Sequence, residues 1–302
     1  MKNVGVLCGG SGSSKFVSAI SNYGSSEIKP TFAANVGDNF WYHGLLVCPD
    51  IDISVYCLSG LLDTYKGWGI QGDSFKTTIS SSTEWFSLGD RDLGYCLLRT
   101  EMYRRGWTLT SITLELCKRL GARFPVVPAT DDTVQTFIRT SVGNLHLQEF
   151  WVKNGGRLEA HTVEYLGIER ASPSEELLDI IKDFVLICPA NPVSSVLPIV
   201  GLKGVSGILK KSRVVAVSPF IGDHPFSGPA ANMMRAIGIE TTSLGVARLY
   251  SRFLKIIFLE KEEDPAIVKS IRDIGVECIQ TDTKIESEAD KARIAKELIA
   301  AL

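Results

Sequence analysis

The sequence lacks several features that mark whole classes of protein. Basic residues do not outnumber acidic ones, and the formal net charge of −2 leaves no broad positive field to attract nucleic acid. No apolar run is long enough to span a bilayer. The four histidines do not show the H-x-x-x-H spacing of a helical metal site. We therefore expect no nucleic-acid or membrane partner, and any anion must be bound locally.

Cysteine pairs with metal-ligand or redox spacing are also missing. The seven cysteines are scattered, with no C-x-x-C pair. Their odd number and the lack of a signal-peptide pattern predict reduced thiols in a cytoplasmic protein. The composition, with 45% hydrophobic and 22% charged residues, is ordinary for a globular enzyme. The length permits one large α/β domain or a core with a smaller insertion.

A glycine-rich turn follows the first apolar strand directly. Val4–Cys8 leads into Gly9-Gly10-Ser11-Gly12-Ser13-Ser14-Lys15, and the apolar periodicity beyond predicts a helix from about Ser14. Such a turn lets a ligand approach the backbone, and the N–H groups at a helix start favour a phosphate. The spacing fits neither the P-loop nor the dinucleotide fingerprint. A tight strand–helix turn without a ligand is the alternative.

Strand, polar loop and helix follow one another several times along the chain. Continuous apolar strands are predicted at Val4–Cys8, Thr31–Asn35, Phe184–Cys188 and Arg213–Val217. The pattern predicts an α/β protein with a Rossmann-like, three-layer α/β/α fold and a mostly parallel sheet. Residues 1–62 and 167–302 are predicted to form this core, and residues 63–166 a smaller inserted α+β subdomain.

The insertion itself contains recognisable local signals. A helix is predicted over Leu109–Leu120, with Thr108 or Thr110 as N-cap and Gly121 as C-cap. Ser141–Asn144 indicates a hairpin turn between two short strands. We group residues 125–166 as the β-containing part of the insertion.

Polar loops follow several of the predicted strands. Ligands of such sheets bind beyond the carboxyl ends of the strands, at a switch in strand order. The glycine turn, Asn35–Asp38, Pro189–Val193 and Ser218–Gly222 all belong to that edge. We therefore expect these distant segments to converge.

Three carboxylates near this edge suggest a metal site. Asp50 and Asp52 are two residues apart, and in an extended segment both face one side. Together with Asp38 they could bridge Mg²⁺ to phosphate oxygens. The alternative is that Asp50 or Asp52 caps the helix that follows.

The irregular region from Thr64 to Asp92 is long enough to suggest function. Its charged triplet, Asp90-Arg91-Asp92, could be an internal ion pair or a helix start, could present Arg91 to an anion, or could simply be surface charge. Aromatic residues gather in the loops and predict a stacking surface for a flat ring; they are Trp41, Tyr42, Trp68, Phe75, Trp85 and Phe86.

Taken together, the motifs resemble those of the 2-phospho-L-lactate transferases of deazaflavin coenzyme biosynthesis, the CofD family. They run in the family's order over nearly the whole chain. The matching segments are Gly9–Ser13, Asn35–Asp38, Pro49–Asp52, Lys66–Ile70, Leu88–Asp92, Pro128–Asp132, Gln148–Trp151, Pro189–Ser195, Ala216–Gly222 and Ser227–Ala230.

The resemblance implies a reaction and a set of roles. A phospholactyl or enolpyruvyl phosphate group is transferred from a guanosine diphospho donor to the deazaflavin Fo, GMP leaves, and Mg²⁺ assists. It implies nucleotide binding by Gly9, Gly10, Ser11, Gly12, Ser13, Lys15, Asn191, Ser194, Ser218 and Gly222. It implies metal binding by Asp38, Asp50 and Asp52, with Asp50 and Asp52 catalytic. It implies acceptor binding by Asn35, Asp38, Trp41, Asp90 and Arg91. A cytoplasmic homodimer is expected.

The chain departs from the family pattern in a few places. Asn39 stands where an aspartate is usual, Ile53 where a threonine is common, and Ser11 and Ser13 in a turn that usually contains threonine. A relative with a changed donor or acceptor is therefore one alternative. Others are a non-catalytic UDP-sugar-binding regulator of the related gluconeogenesis-factor family and, given the broken fingerprint, a dinucleotide-dependent oxidoreductase.

Overall fold

The computed structural model describes residues 1–24, 26–77, 85–221, 224–225 and 229–302. The strands are β1 (Lys2–Cys8), β2 (Ile28–Ala34), β3 (Phe40–Tyr42), β4 (Leu45–Val47), β5 (Val126–Pro128), β6 (Gln135–Thr140), β7 (Gly143–His146), β8 (Thr162–Leu166), β9 (Phe184–Ile187), β10 (Arg213–Val217), β11 (Phe220–Ile221), β12 (His224–Pro225), β13 (Leu254–Glu260) and β14 (Glu277–Thr281). The helices are α1 (Gly10–Tyr23), α2 (Pro49–Leu58), α3 (Asp90–Arg104), α4 (Leu109–Leu120), α5 (Glu175–Ile180), α6 (Leu197–Val200), α7 (Val205–Leu209), α8 (Ala230–Ala236), α9 (Ser243–Tyr250), α10 (Pro265–Asp273) and α11 (Glu288–Ala301). Two π-helical turns lie at Glu149–Lys153 and Pro192–Val196.

The central sheet has seven parallel strands within the described residues, in the order β14-β13-β10-β9-β1-β2-β5. The strand that follows β1 in the chain, β2, lies on one side of β1 in the sheet. The strand that follows β9, β10, lies on the opposite side of the β1–β9 pair. Right-handed crossovers therefore place their helices on opposite faces of the sheet. Helices flank the sheet, with α1 packed between α2 and α11. The predicted three-layer α/β/α fold with a mostly parallel sheet is confirmed.

The central strands are apolar along their whole inner length because both faces are covered. In β1 every residue from Val4 onward except the glycine is at most 2% exposed, and β10 is buried from Val214 to Val217. Burial on both faces is what turns the alternating pattern of a half-buried strand into a continuous apolar run. This is why the sequence marks these strands so clearly.

Part of the predicted insertion differs from expectation. The strands β6, β7 and β8 form a separate antiparallel sheet, with the hairpin turn where it was predicted. β5, however, pairs in parallel with β2 and belongs to the main sheet, although residues 125–128 were grouped with the insertion. Its short apolar run, buried throughout, carries no signal that distinguishes the two sheets.

The predicted caps of α4 are present. The Thr108 side chain accepts a hydrogen bond from the Ser111 N–H, and Gly121 adopts the left-handed conformation, with φ 67°. Among the helices that the structure describes, none combines the length and the apolar character needed to cross a bilayer.

Candidate functional site

A cavity of about 470 Å³ opens at the carboxyl ends of β1 and β9. These neighbouring strands are where the order of the sheet reverses, which is the usual position of a ligand in such folds. One side is polar and formed by the glycine turn, two aspartates and the loop after β9. The other side is apolar and rich in aromatic rings. Predicted site residues that line the cavity are Gly9, Gly10, Ser11, Gly12, Asp38, Asp50, Asn191 and Ser194.

The glycine turn is shaped by close approach to its neighbours. α1 begins at Gly10, earlier than the predicted start near Ser14, and Gly10 has a φ of +67° that favours glycine. A Cβ atom on Gly9 would lie 2.5 Å from Asp50 Oδ2 and 2.8 Å from Ser195 Cβ. The turn is therefore bare because the loop after β9 and the start of α2 press against it.

Two of the predicted nucleotide-binding residues stabilise the turn from behind. The Ser13 hydroxyl donates to the Gly9 carbonyl oxygen at 2.8 Å and accepts from the Gly9 N–H at 3.1 Å. The Lys15 ammonium donates to the carbonyl oxygen of Ile285 at 2.8 Å. Neither side chain is among the described residues that line the cavity.

Asp50 is the centre of the polar side. Its Oδ1 accepts from the Gly10 N–H at 2.6 Å, and its Oδ2 accepts from the Asn35 side-chain amide at 2.9 Å. The same Asn35 amide donates to the Ser194 carbonyl oxygen at 3.1 Å. Asn35 is fully buried, so it lies behind Asp50 and joins the start of α2 to the loop after β9.

Asp38 lies next to Asp50 and uses only one of its two carboxylate oxygens in hydrogen bonds to the described residues. Its Oδ2 accepts from the Asp50 N–H and from the Gln148 side-chain amide, each at 3.2 Å. Its Oδ1 is buried and has no hydrogen-bond partner among the described residues. A buried carboxylate oxygen without a donor is costly unless a cation or a ligand meets it.

The two carboxylates shift each other's ionisation. Burial raises the pKa of Asp38 well above its ordinary value, and the charge of Asp50 raises it further. Burial also raises the pKa of Asp50, against the hydrogen bonds from Asn35 and Gly10 that lower it. None of the described residues that line the cavity is Lys, Arg or His. Asp38 and Asp50 are therefore the groups that could hold a divalent cation, which would also relieve their repulsion.

Asp52 does not lie on the polar side of the cavity with Asp38 and Asp50. Both aspartates lie in the first turn of α2, so the prediction of an extended segment is wrong, and helical geometry turns them in different directions. The Asp52 carboxylate forms a buried ion pair with Arg99 of α3. It is absent from the described lining of the cavity.

A second group of possible metal ligands lies around that ion pair. Asp52, Asp92 and Cys96 offer ligand atoms within 4.8 Å of one another, all buried. Arg99 already supplies positive charge there, and Asp92 accepts a hydrogen bond from the Tyr56 hydroxyl at 2.7 Å. The guanidinium also donates to Cys96 Sγ at 3.8 Å, so two of the three groups already have a cationic partner.

The apolar side of the cavity contains three of the loop aromatic residues that the sequence suggested as a stacking surface, together with one that it did not. Its rings are Trp68, Trp85, Phe86 and Trp151. Trp85 and Phe86 pack on Phe40, with ring centroids 6.0 and 4.9 Å apart. Trp41 instead contacts Tyr103 beside a separate, smaller cleft.

Other predicted residues lie outside the cavity lining. Asp90 and Arg91 begin α3, where the Asp90 carboxylate accepts from Thr77 and the Arg91 N–H donates to Asp73. The Ser218 hydroxyl shares a hydrogen bond of 2.8 Å with Ser243 and is buried. Gly222 lies outside the described residues.

Sequence reasoning missed several contributors to the site. Trp151 and Val152 reach the cavity from the π-helical turn at Glu149–Lys153, and Gln148 reaches it from the N-cap position just before that turn. Ser195 reaches it from the turn at Pro192–Val196. Such turns often occur at functional sites. The Gln148–Trp151 segment was noticed as a motif, but no periodicity indicates which of its side chains face a cavity.

Comparison with known proteins identifies the family of the chain. A family model described as 2-phospho-L-lactate transferase CofD matches residues 4–299. A 2-phospho-L-lactate transferase of Methanosarcina barkeri is 36% identical over 303 residues, which cover 98% of this chain and 97% of the relative. A phosphoenolpyruvate transferase of Nocardia farcinica is 36% identical over 261 residues, covering 81% of this chain and 78% of the relative.

A solved structure supports the fold independently. A UPF0052-family protein from Bacillus halodurans superposes with a TM-score of 0.70 over 99% of this chain and 98% of that chain, at 16% identity. At that identity the likeness concerns the fold alone. The family match over nearly the whole chain, together with the names of the relatives, confirms the prediction of a transferase enzyme. The chain belongs to the 2-phospho-L-lactate transferase CofD family.

Proposed function

We propose that this protein transfers a phospholactyl or an enolpyruvyl phosphate group from a guanosine diphospho donor to the deazaflavin Fo, releasing GMP, in coenzyme F420 biosynthesis. The observation that carries the proposal is the buried pair Asp38 and Asp50 beside a bare glycine turn, facing an aromatic wall across one cavity. The names of the relatives, a 2-phospho-L-lactate transferase and a phosphoenolpyruvate transferase, support the choice of transferred group.

The polar side is proposed to bind the donor. Its diphosphate lies against Gly9–Gly12 and near Asn191 and Ser194, where the glycine turn has little side-chain bulk. Ser13 and Lys15 contribute by holding the turn in shape. The nucleotide-binding role of Ser218 and Gly222 stays a prediction.

Mg²⁺ is proposed as the cofactor, held by Asp38 and Asp50. Carboxylate oxygens are the ligands that Mg²⁺ prefers, and the unpartnered Asp38 Oδ1 fits this use. When bound, the ion neutralises charge that develops on the phosphate oxygens. The lack of basic side chains among the described lining residues supports a role for a cation in this neutralisation.

The chain's own residues then position the reactants and accept a proton. The ribityl hydroxyl of Fo forms a new bond to the phosphorus that bears the acyl group, and the bond from that phosphorus to the GMP oxygen breaks. GMP leaves with the electron pair of the broken bond. The hydroxyl proton passes to the carboxylate of Asp50, which lines the cavity. Such chemistry depends mainly on positioning and charge neutralisation.

The acceptor is proposed to stack on the aromatic side of the cavity. Trp68, Trp85 and Trp151 offer flat surfaces that suit a deazaflavin ring. Asn35 supports this site indirectly, by orienting the Asp50 carboxylate. A homodimer and a cytoplasmic location stay predictions.

A mass-spectrometric assay tests the proposal. Purified protein is incubated with Fo and with guanylylated donors that carry lactyl, enolpyruvyl or glyceryl groups, with and without Mg²⁺. We expect a Mg²⁺-dependent adduct of Fo together with GMP. Asp50→Asn should lower the rate of product formation by about 10² or more, whereas Asp273→Asn, at an exposed position at the end of α10, should leave it unchanged.

A thermal-shift screen distinguishes the transferase from the alternative, a UDP-sugar-binding regulator. GDP and Fo are expected to raise the melting temperature. No product from any donor, combined with stabilisation by UDP-N-acetylglucosamine alone, would reject the transferase and favour the regulator.

A further inference from the structure

The start of α3 is fastened to an earlier segment by a reciprocal pair of aspartates, Asp73 and Asp90. The Asp73 carboxylate accepts from the Arg91 N–H at 3.0 Å and from the Asp92 N–H at 3.1 Å. It therefore caps α3 from a distance, because the N-cap residue Gly89 has no side chain to do so.

The Asp90 carboxylate makes the return contacts. It accepts from the Thr77 N–H at 2.8 Å, from the Lys76 N–H at 3.2 Å and from the Ser74 hydroxyl. The Asp90 N–H also donates to the Ser74 carbonyl oxygen at 2.7 Å. These bonds hold the pKa of Asp90 at about 2, below its usual value, with the Ser74 hydroxyl as the largest cause. We call the Asp73–Asp90 arrangement the clasp.

The clasp is connected to the cavity through one aromatic contact. Phe75 lies between the residues that Asp90 holds, and its ring meets the edge of Trp68 with centroids 6.5 Å apart. The Lys66 ammonium lies 5.3 Å from the Trp68 ring and 5.1 Å from the Phe75 ring, which joins the two further. Trp68 lines the cavity, and so does Ser87, just before α3.

The Asp73 carboxylate packs closely against the backbone of Gly89. A Cβ atom at this position would lie 2.2 Å from Asp73 Oδ2. Any side chain at Gly89 must therefore displace the carboxylate that caps α3. The sequence predicted that Asp90 and Arg91 bind the acceptor, and the structure engages the Asp90 carboxylate with Ser74, Lys76 and Thr77.

We propose that Asp73 and Asp90 are positioning residues that fix the Trp68 side of the cavity for the acceptor. This inference rests on the proposed function, since it assigns the acceptor to the aromatic side. Loss of the clasp leaves the glycine turn and the Asp38–Asp50 pair in place. Its effect should therefore fall on acceptor binding and spare both nucleotide affinity and the chemical step.

Steady-state kinetics with Fo test this division. We expect Asp73→Ala and Asp90→Ala to raise KM for Fo about tenfold, which corresponds to a loss of about 1.4 kcal/mol. We expect kcat and the affinity for GDP to change less than twofold. Asp73→Asn should largely restore KM, because an asparagine carbonyl oxygen also caps a helix. Glu101→Gln, at an exposed position in the same helix, serves as the matched control. Equal losses in kcat and in GDP affinity would overturn the proposal.

A second measurement does not depend on activity. Acrylamide quenching of tryptophan fluorescence reports how exposed Trp68 is to solvent. The signal of Trp68 is the fluorescence of each variant minus that of the same variant carrying Trp68→Phe. We expect quenching to rise in Asp90→Ala and Asp73→Ala but not in Glu101→Gln. Unchanged quenching would overturn the clasp even if the transferase assay succeeds, and increased quenching would support it even if that assay fails.

A double-variant cycle tests the contact at Gly89. Gly89→Ala should raise Trp68 quenching in the otherwise wild-type protein. In the Asp73→Ala background the same change should add little, because the carboxylate that it displaces is gone. Additive effects would show that Gly89 acts through something other than Asp73.

Discussion

Arg99 and Asp52 form an ion pair at the interface of α3 and α2, and the Arg99 side chain has no exposed surface. One guanidinium nitrogen donates to Asp52 Oδ2 at 3.1 Å and to the Leu46 carbonyl oxygen at 3.2 Å. The pKa of Asp52 is raised by burial and lowered by Arg99. The pair fixes the first turn of α2, and with it the position of Asp50 beside the cavity.

Removing the guanidinium should destabilise the fold. In Arg99→Met the Asp52 carboxylate is left buried without its partner, and such losses cost about 3–5 kcal/mol. Urea unfolding followed by circular dichroism would measure this as a lower midpoint at an unchanged slope.

The double variant Asp52→Asn/Arg99→Met is the control for this loss. Removing both charges should recover most of the stability, because no unpaired charge remains in the interior. If the double variant loses the sum of the two single losses, the ion pair is not the source of the effect.

The two aspartates of α2 should respond differently to the same substitution. Asp50→Asn removes the proposed proton acceptor, and we expect kcat to fall by about 10² or more. Asp52→Asn should chiefly lower stability, since Asp52 contacts Arg99 and does not line the cavity. Turnover and unfolding are measured on both variants. A large fall in kcat for Asp52→Asn at full stability would instead support the catalytic role that the sequence suggested.

Asp92 makes stability depend on pH. Burial, and then the charge of Asp52, raise the pKa of Asp92 from 3.8 to about 7. Between these values the carboxyl is protonated in the fold and ionised in the unfolded chain, so unfolding releases a proton. The contribution of Asp92 to the free energy of unfolding is fully present below pH 3.8, the pKa in the unfolded chain. It is lost as the pH rises through the folded-state pKa of about 7, at a rate of at most about 1.4 kcal/mol per pH unit.

Asp92→Asn should remove that dependence while keeping an acceptor for the Tyr56 hydroxyl. We expect the free energy of unfolding of the variant, relative to the wild type, to rise as the pH increases across this window. Urea unfolding at several pH values measures the difference, and Asp273→Asn provides a surface control. A difference that is constant with pH would contradict the assignment.

The fold could be predicted because its signals are local. A strand buried on both faces is a continuous apolar run, and the glycine turn after β1 marks the edge at which Asp38, Asp50 and Asn191 meet. Each of these features is contained in a short stretch of sequence. Their convergence then follows from the geometry of a parallel sheet.

The roles within the site depend on contacts between distant residues. Arg99 lies 47 positions from its partner Asp52, and no pattern in either segment indicates the pairing. The clasp likewise joins Asp90 to backbone groups in a preceding irregular segment. The geometry of Asp50 and Asp52, by contrast, has a local signal in the sequence. Pro49 suits the first helical position, which places Asp50 and Asp52 in a helix rather than in an extended segment.

The glycine turn offers a test of the cavity that leaves the charged groups intact. Gly9 has an extended φ of 176°, so alanine brings no backbone strain there. Its Cβ atom would nevertheless lie 2.5 Å from Asp50 Oδ2 and 2.8 Å from Ser195 Cβ. We expect Gly9→Ala to displace the Asp50 carboxylate and to lower kcat/KM at least about tenfold, with a stability loss of about 1–3 kcal/mol.

Gly94→Ala is the matched control for this change. Gly94 lies in α3 at an exposed position where a built Cβ atom meets open space. The substitution should stabilise the protein by about 0.5–1 kcal/mol and leave turnover unchanged, because alanine favours a helix. Titration with GDP and turnover of Fo are measured on both variants. Wild-type turnover in Gly9→Ala would mean that Asp50 tolerates displacement, and the reacting groups would then have to lie elsewhere in the cavity.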